Sequence, residues 1–127
     1  MALAPGGQNA DLSKAIHVAE DAFFLMEFCI VRRMPSYKNY GHWGLTRVPS
    51  SVWEDVLIAV GELEERLAGA RGPADISFEG MNASTLLAAF NANFQLTRTA
   101  ALGLLREISQ LTGCWARDHE AVFVLGI

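Results

Sequence analysis

The segment from Pro35 to Pro49 concentrates the residue types of this chain that could bind a ligand or a partner. It contains both tyrosines, one of the three tryptophans and one of the three histidines. Basic and aromatic side chains together can neutralise an anion and stack on a planar group, as in nucleotide and single-stranded nucleic-acid sites. The same residue types are enriched in the hot spots of protein interfaces. The residues that carry this pattern are Arg32, Arg33, Tyr37, Lys38, Tyr40, His42, Trp43 and Arg47.

The charge pattern supports a binding surface here, because no acidic residue occurs between Glu27 and Glu54 in a chain of net charge −4. A loop of this length in a compact domain is often functional. The alternative is structural: Tyr37, Tyr40 and Trp43 would fold back over the first helix and cover the core. Both interpretations remain open from the sequence alone.

Catalytic chemistry finds little support in the residue spacing. His17, His42 and His119 fall in three different predicted elements, and no nucleophile, phosphate-binding or dinucleotide-binding motif occurs. Cys29 and Cys114 lack the spacings of zinc and dithiol sites. We therefore predict a protein that is not an enzyme and uses neither a metal nor another cofactor.

The composition is that of one small domain with a high proportion of apolar residues. The chain has 127 residues, of which 51% are hydrophobic and 19% charged. Such an excess of apolar residues favours burial against a partner or a second copy, although a tight helical core would also account for it. The acidic balance argues against general nucleic-acid binding.

The predicted domain covers residues 11–127, preceded by a mobile tail at residues 1–10. This tail lacks the basic start and apolar run of a signal peptide, so we expect a cytoplasmic protein. The most apolar stretch, at residues 22–31, is interrupted by Glu27 and is too short to span a bilayer.

Hydrophobic periodicity predicts a mostly α protein of the α+β class, with three helices and a small β element. The first helix should begin at Asp11 or Ser13 and end near Met34, before Pro35. The second should span about residues 52–68, and a long third helix about 84–112, where Gly113 stops it. Residues 114–127 then read as a short C-terminal β-hairpin. The expected architecture is a three-helix bundle with this hairpin packed on it.

Two apolar residues fall on otherwise polar helix faces. Phe24 lies in the polar stripe of the first helix, and Ile58 lies among the acidic residues of the second. Phe24 is expected either beneath the 35–49 loop or exposed for a partner. These two residues, together with the C-terminal strand, are candidates for a homodimer interface.

The leading hypothesis is a non-catalytic regulator of the inhibitor or antiactivator type, which masks a surface of a larger protein such as a transcription factor. The alternative is a small-molecule or anion-binding protein, or a small enzyme, with a pocket under the 35–49 loop and His42 as its titrating group. A nucleic-acid binder that uses only the loop is the third hypothesis. Membrane binding is not expected.

Overall fold

The computed structural model describes residues 1–37 and 44–126. In this part of the chain, four α-helices accompany a four-stranded antiparallel sheet with strand order β2-β1-β4-β3. The helices are α1 (Glu20–Arg33), α2 (Ser50–Gly69), α3 (Ser84–Ala92) and α4 (Phe94–Asp118). The strands are β1 (Ala2–Gly6), β2 (Ile16–His17), β3 (Gly44–Pro49) and β4 (Ala121–Gly126). The predicted α+β class is confirmed, whereas the three-helix bundle with a long third helix is not.

The prediction of a mobile tail at residues 1–10 is wrong, because Ala2–Gly6 form a strand of the sheet. Every residue of β1 is buried, and β1 pairs with β2 on one side and with β4 on the other. The Pro5 carbonyl faces away from β4 and accepts a hydrogen bond from the Asp11 amide at 2.7 Å. The missing N–H of Pro5 lies on this same side, beyond the Ala2 and Leu3 pairs with β2, and so it does not interrupt the ladder with β4. Strand pairing between the two ends of a chain leaves no local pattern in the sequence.

The first helix begins later than predicted. Asp11 does act as a cap, accepting a hydrogen bond from the Ser13 amide at 3.1 Å, but it caps only a short 3-10 turn. The next residues are extended, because Ile16–His17 pair with β1. α1 therefore starts at Glu20, and its charged termini suit the helix dipole, with acids in the first turn and arginines in the last.

The predicted third helix is divided, and its second part is longer than expected. Asn93 adopts non-helical backbone angles, φ −153° and ψ 89°, between α3 and α4, and its side chain accepts a hydrogen bond from the Leu96 amide at 3.2 Å. α4 then continues through Gly113, where a Cβ would lie 3.6 Å from Leu57 of α2. Tertiary packing outweighs the intrinsic cost of about 1 kcal/mol for a helical glycine.

The prediction of a C-terminal β-hairpin at residues 114–127 is also wrong. Residues 114–118 belong to α4, and only β4 is extended. β4 occupies the middle of the sheet, paired with β1 through residues 121–125 and with β3 along its whole length. A two-stranded hairpin would have left one of its edges open, whereas β4 has both edges occupied.

The two faces of the sheet have different coverings. One face packs on the helices and contributes Leu3, Val48, Val122 and Val124 to the hydrophobic core. On the other face, Ala4 and Phe123 are buried as well. The segment that follows β1 turns back over this face, since a Cβ on Gly6 would lie 2.9 Å from the Phe123 ring and closer still to the Asn9 carbonyl.

Candidate functional site

Tyr37, the first aromatic residue of the 35–49 segment, lies in the core. Its side chain is 7% exposed and its hydroxyl donates a hydrogen bond to Glu27 Oε2 at 3.2 Å. Burial, followed by the neighbouring Glu27 carboxylate, raises the pKa of the Tyr37 phenol well above its usual range. Tyr37 therefore covers the core in the way that the structural alternative predicts.

Phe24 is half-buried and packs against residues of its own chain. Its ring meets Phe78 edge to face, with centroids 5.8 Å apart, and Phe78 meets Phe28 in the same way at 5.3 Å. Such aromatic pairs stabilise the fold beyond the burial of their area. Phe78, in the segment after α2, thus covers one side of Phe24.

The arginines at the end of α1 are engaged within the chain. Arg33 donates to Glu62 Oε1 of α2 at 2.8 Å. The Arg32 guanidinium lies over the Phe28 ring, 5.3 Å from its centroid. These contacts reduce the positive surface that the sequence suggests, because one charge is paired and the other is held against an aromatic face.

Arg47 reaches across the outer face of the sheet. It is the neighbour of Phe123 in the β3–β4 register, and its Nε donates to the Gly7 carbonyl at 2.8 Å. A terminal nitrogen also lies 3.8 Å from a Glu120 carboxylate oxygen. Since Gly7 follows β1, the Arg47 side chain crosses β4 and links β3 to the turn after β1. Arg47 thus has a structural role on this face.

Of the remaining candidates from the sequence, Ile58 lies within the described residues and three others lie outside them. Tyr40, His42 and Trp43 lie outside the described residues, as does Lys38. Ile58 is 57% exposed on α2, as its position in the helical pattern predicts. Its place in an interface stays a prediction.

The second half of the loop, residues 44–49, forms a strand at the edge of the sheet. β3 pairs with β4 on one side, and in the described part of the chain it is the last strand in that direction. Gly44 and Leu45 are exposed, Leu45 by 58%. The β-branched residues Thr46 and Val48, two positions apart, are the local signal that sequence reasoning missed by treating the whole segment as a loop.

An apolar hollow of about 470 Å³ adjoins this strand on the outer face of the sheet. Ala2, Leu125 and Leu45 occupy one row across β1, β4 and β3, and they line the hollow. Leu12, 64% exposed, stands at its rim, and His17 of β2 lines it as well. Sequence periodicity does not predict this hollow, because its lining comes from all four strands and from the segment between β1 and β2. We call β3 and this hollow the β3 surface.

Among the residues that the structure describes, His17 is the one titratable side chain that lines the hollow. Burial raises the pKa of the Cys29 thiol to about 12, which keeps it protonated in the folded protein. Within residues 1–37 and 44–126, no three His, Cys, Asp or Glu residues are grouped so that they could hold a metal ion. The same ranges contain no helix with the length and apolar character needed to cross a membrane.

Comparison with known proteins gives no further assignment. No family model, no curated protein and no solved structure matches the chain.

Proposed function

We propose that this protein is a non-catalytic regulator that binds a larger protein through the β3 surface and masks the part of the partner that it covers. The observation that carries the proposal is the coincidence of an apolar hollow with a strand edge that no described residue pairs with. Gly44 and Leu45 belong to both features. The proposed action is that of an inhibitor or antiactivator, for example of a transcription factor.

An open strand edge offers a row of backbone donors and acceptors to another strand. Partner segments commonly bind such edges by adding a strand, where backbone hydrogen bonds give affinity and side-chain pockets give specificity. At the β3 surface, an extended partner segment would pair with β3 and place an apolar side chain in the hollow. The exposed Leu45 would then be buried between the two chains.

The location that fits this function is the cytoplasm. Both cysteines are free, Cys29 in the core and Cys114 at the surface. Free thiols of this kind suit a reducing compartment. This location is part of the proposal and rests on cysteine chemistry.

Capture from an extract of the native cells tests the proposal. The wild-type chain should retain a larger protein, and Leu45→Lys should lose most of it, because lysine on an edge strand opposes strand addition and carries charge into the hollow. Leu96→Lys is the matched control, since Leu96 is 67% exposed on α4 and lies outside the β3 surface. If both variants retain the partner equally well, the β3 surface is not its binding site.

A further inference from the structure

Two hollows lie next to each other at the contact of α1, α3 and α4, away from the β3 surface. One has about 190 Å³ and an apolar lining that includes Ala22 and Leu25 of α1, with Ala100 and Leu104 of α4. The other has about 150 Å³ and lies between the polar side of α1 and the start of α3. Leu86 of α3 lines both hollows. Together they form a groove, which we call the α1–α4 groove, with one apolar part and one polar part.

The polar part of the groove carries negative charge. Glu20, Asp21 and Glu27 line it, together with Phe24. Glu27 is buried and accepts the hydrogen bond from Tyr37, whereas Glu20 and Asp21 are exposed. No lysine or arginine among the described residues lines either hollow. The groove therefore presents an apolar surface beside an anionic one.

We infer that the α1–α4 groove binds a cationic amphipathic segment of a protein partner. Apolar side chains of the segment occupy the hollow beside Leu86 and Leu104, and its lysines or arginines face Glu20 and Asp21. Amphipathic helices bind apolar grooves through side chains on one face. Charge complementarity at the polar end then fixes the direction of the segment and accelerates association.

A second copy of the chain fits this groove less well, because it brings a formal net charge of −4 to a surface that is already acidic. The inference goes beyond the β3 surface and is independent of it, since the two share no lining residue. Loss of binding at one surface leaves the other intact.

Two synthetic peptides test the inference on the full-length chain. Each is a helix-forming peptide of 14 residues with one leucine face, flanked by lysines in one peptide and by glutamates in the other. In amide NMR titrations, the lysine peptide should shift the signals of Ala22, Leu86 and Ala100, and the glutamate peptide should not. Asp21→Lys and Ala100→Arg should each weaken the lysine peptide at least tenfold, by reversing charge and by filling the hollow.

Glu54→Lys is the matched control, because it makes the same change of charge near the start of α2, outside the groove. It should leave the affinity within twofold. Equal binding of the two peptides would overturn the inference, as would shifts confined to other surfaces or equal weakening by Asp21→Lys and Glu54→Lys. Free spermidine is the last probe. If it shifts the Asp21 region as strongly as the peptide does, the site is a simple polycation site and the inference is wrong.

Discussion

A phenol and a carboxylate meet in the core at the place where the sequence suggests a binding loop. Tyr37 is one of the aromatic residues that attract attention in the sequence, and its hydroxyl donates to the buried Glu27. The basic and aromatic residues near Tyr37 in the sequence suggest a binding surface, but its burial makes Tyr37 a residue of the core. With Tyr37 in the core, Gly44 and Leu45 are the exposed start of the described second half of the segment, where a partner can make contact.

Tyr37→Phe should lower the free energy of unfolding by about 1–2 kcal/mol, because Glu27 loses one hydrogen-bond donor in a buried place. The dependence on pH should change as well. Since folding raises the pKa of Tyr37, its contribution is fully present below about pH 10, the usual pKa of tyrosine, and is lost as the pH rises further. Urea unfolding between pH 8 and 11 measures both effects. An unchanged alkaline loss in the variant would contradict the burial of this phenol.

Arg47→Ala should release the turn after β1 from the sheet. The loss of the hydrogen bond to Gly7 is expected to cost about 1 kcal/mol and to speed hydrogen exchange in residues 7–15. Arg106→Ala is the control, because Arg106 is 62% exposed and reaches Glu64 only at 4.0 Å. That change should stay within about 0.5 kcal/mol. Equal effects of the two variants would mean that Arg47 does not hold this turn.

At the scale of elements, β1 is the largest departure from the sequence prediction. A segment expected to be a mobile tail forms a strand between β2 and β4. Its burial completes the sheet face that packs on the helices and supplies the floor of the hollow. The candidate surface thus depends on residues at the very start of the described chain.

Leu3→Ala tests the place of β1 in the fold. Leu3 is 0% exposed, so the truncation should cost about 2–5 kcal/mol of unfolding free energy. Leu12→Ala removes the same atoms from a residue that is 64% exposed and should change stability by less than about 0.5 kcal/mol. Chemical denaturation of the two variants makes the comparison. If Leu3→Ala lowered the unfolding free energy as little as Leu12→Ala does, the burial of β1 would be contradicted and the mobile tail would be the better description.

The elements that sequence reasoning found are those with a local cause. α2 spans Ser50–Gly69, close to the predicted 52–68, because its apolar residues repeat at the helical period. α1 ends at Arg33, before Pro35, as predicted. β1, β2 and β3 were missed because distant strands stabilise them. For the same reason the hollow could not be predicted, whereas the exposure of Ile58 followed from its helix face.

For the whole molecule, the sequence predicts a homodimer through an unpaired C-terminal strand, yet β4 is paired on both sides. The C-terminal strand therefore offers no free edge for a dimer, and among the described strands β3 is the long strand at the end of the sheet that could take its place beside the helix candidates Phe24 and Ile58. Light scattering at micromolar concentration should give a dimer for the wild type and a monomer for Leu45→Lys. A wild-type monomer would contradict the dimer, and a dimeric variant would place its interface elsewhere. Because two copies would occupy the edge that the partner needs, partner binding should dissociate the dimer.

Hydrogen exchange of the complex with the captured partner tests the central claim, that the β3 surface binds another protein. If a partner strand pairs with β3, the amides of residues 44–48 that face away from β4 should exchange much more slowly in the complex than in the free chain. The amides of α2 around Ile58 serve as the internal reference and should exchange at an unchanged rate. Slower exchange around Ile58 with no change in β3 would contradict the claim and place the interface on α2.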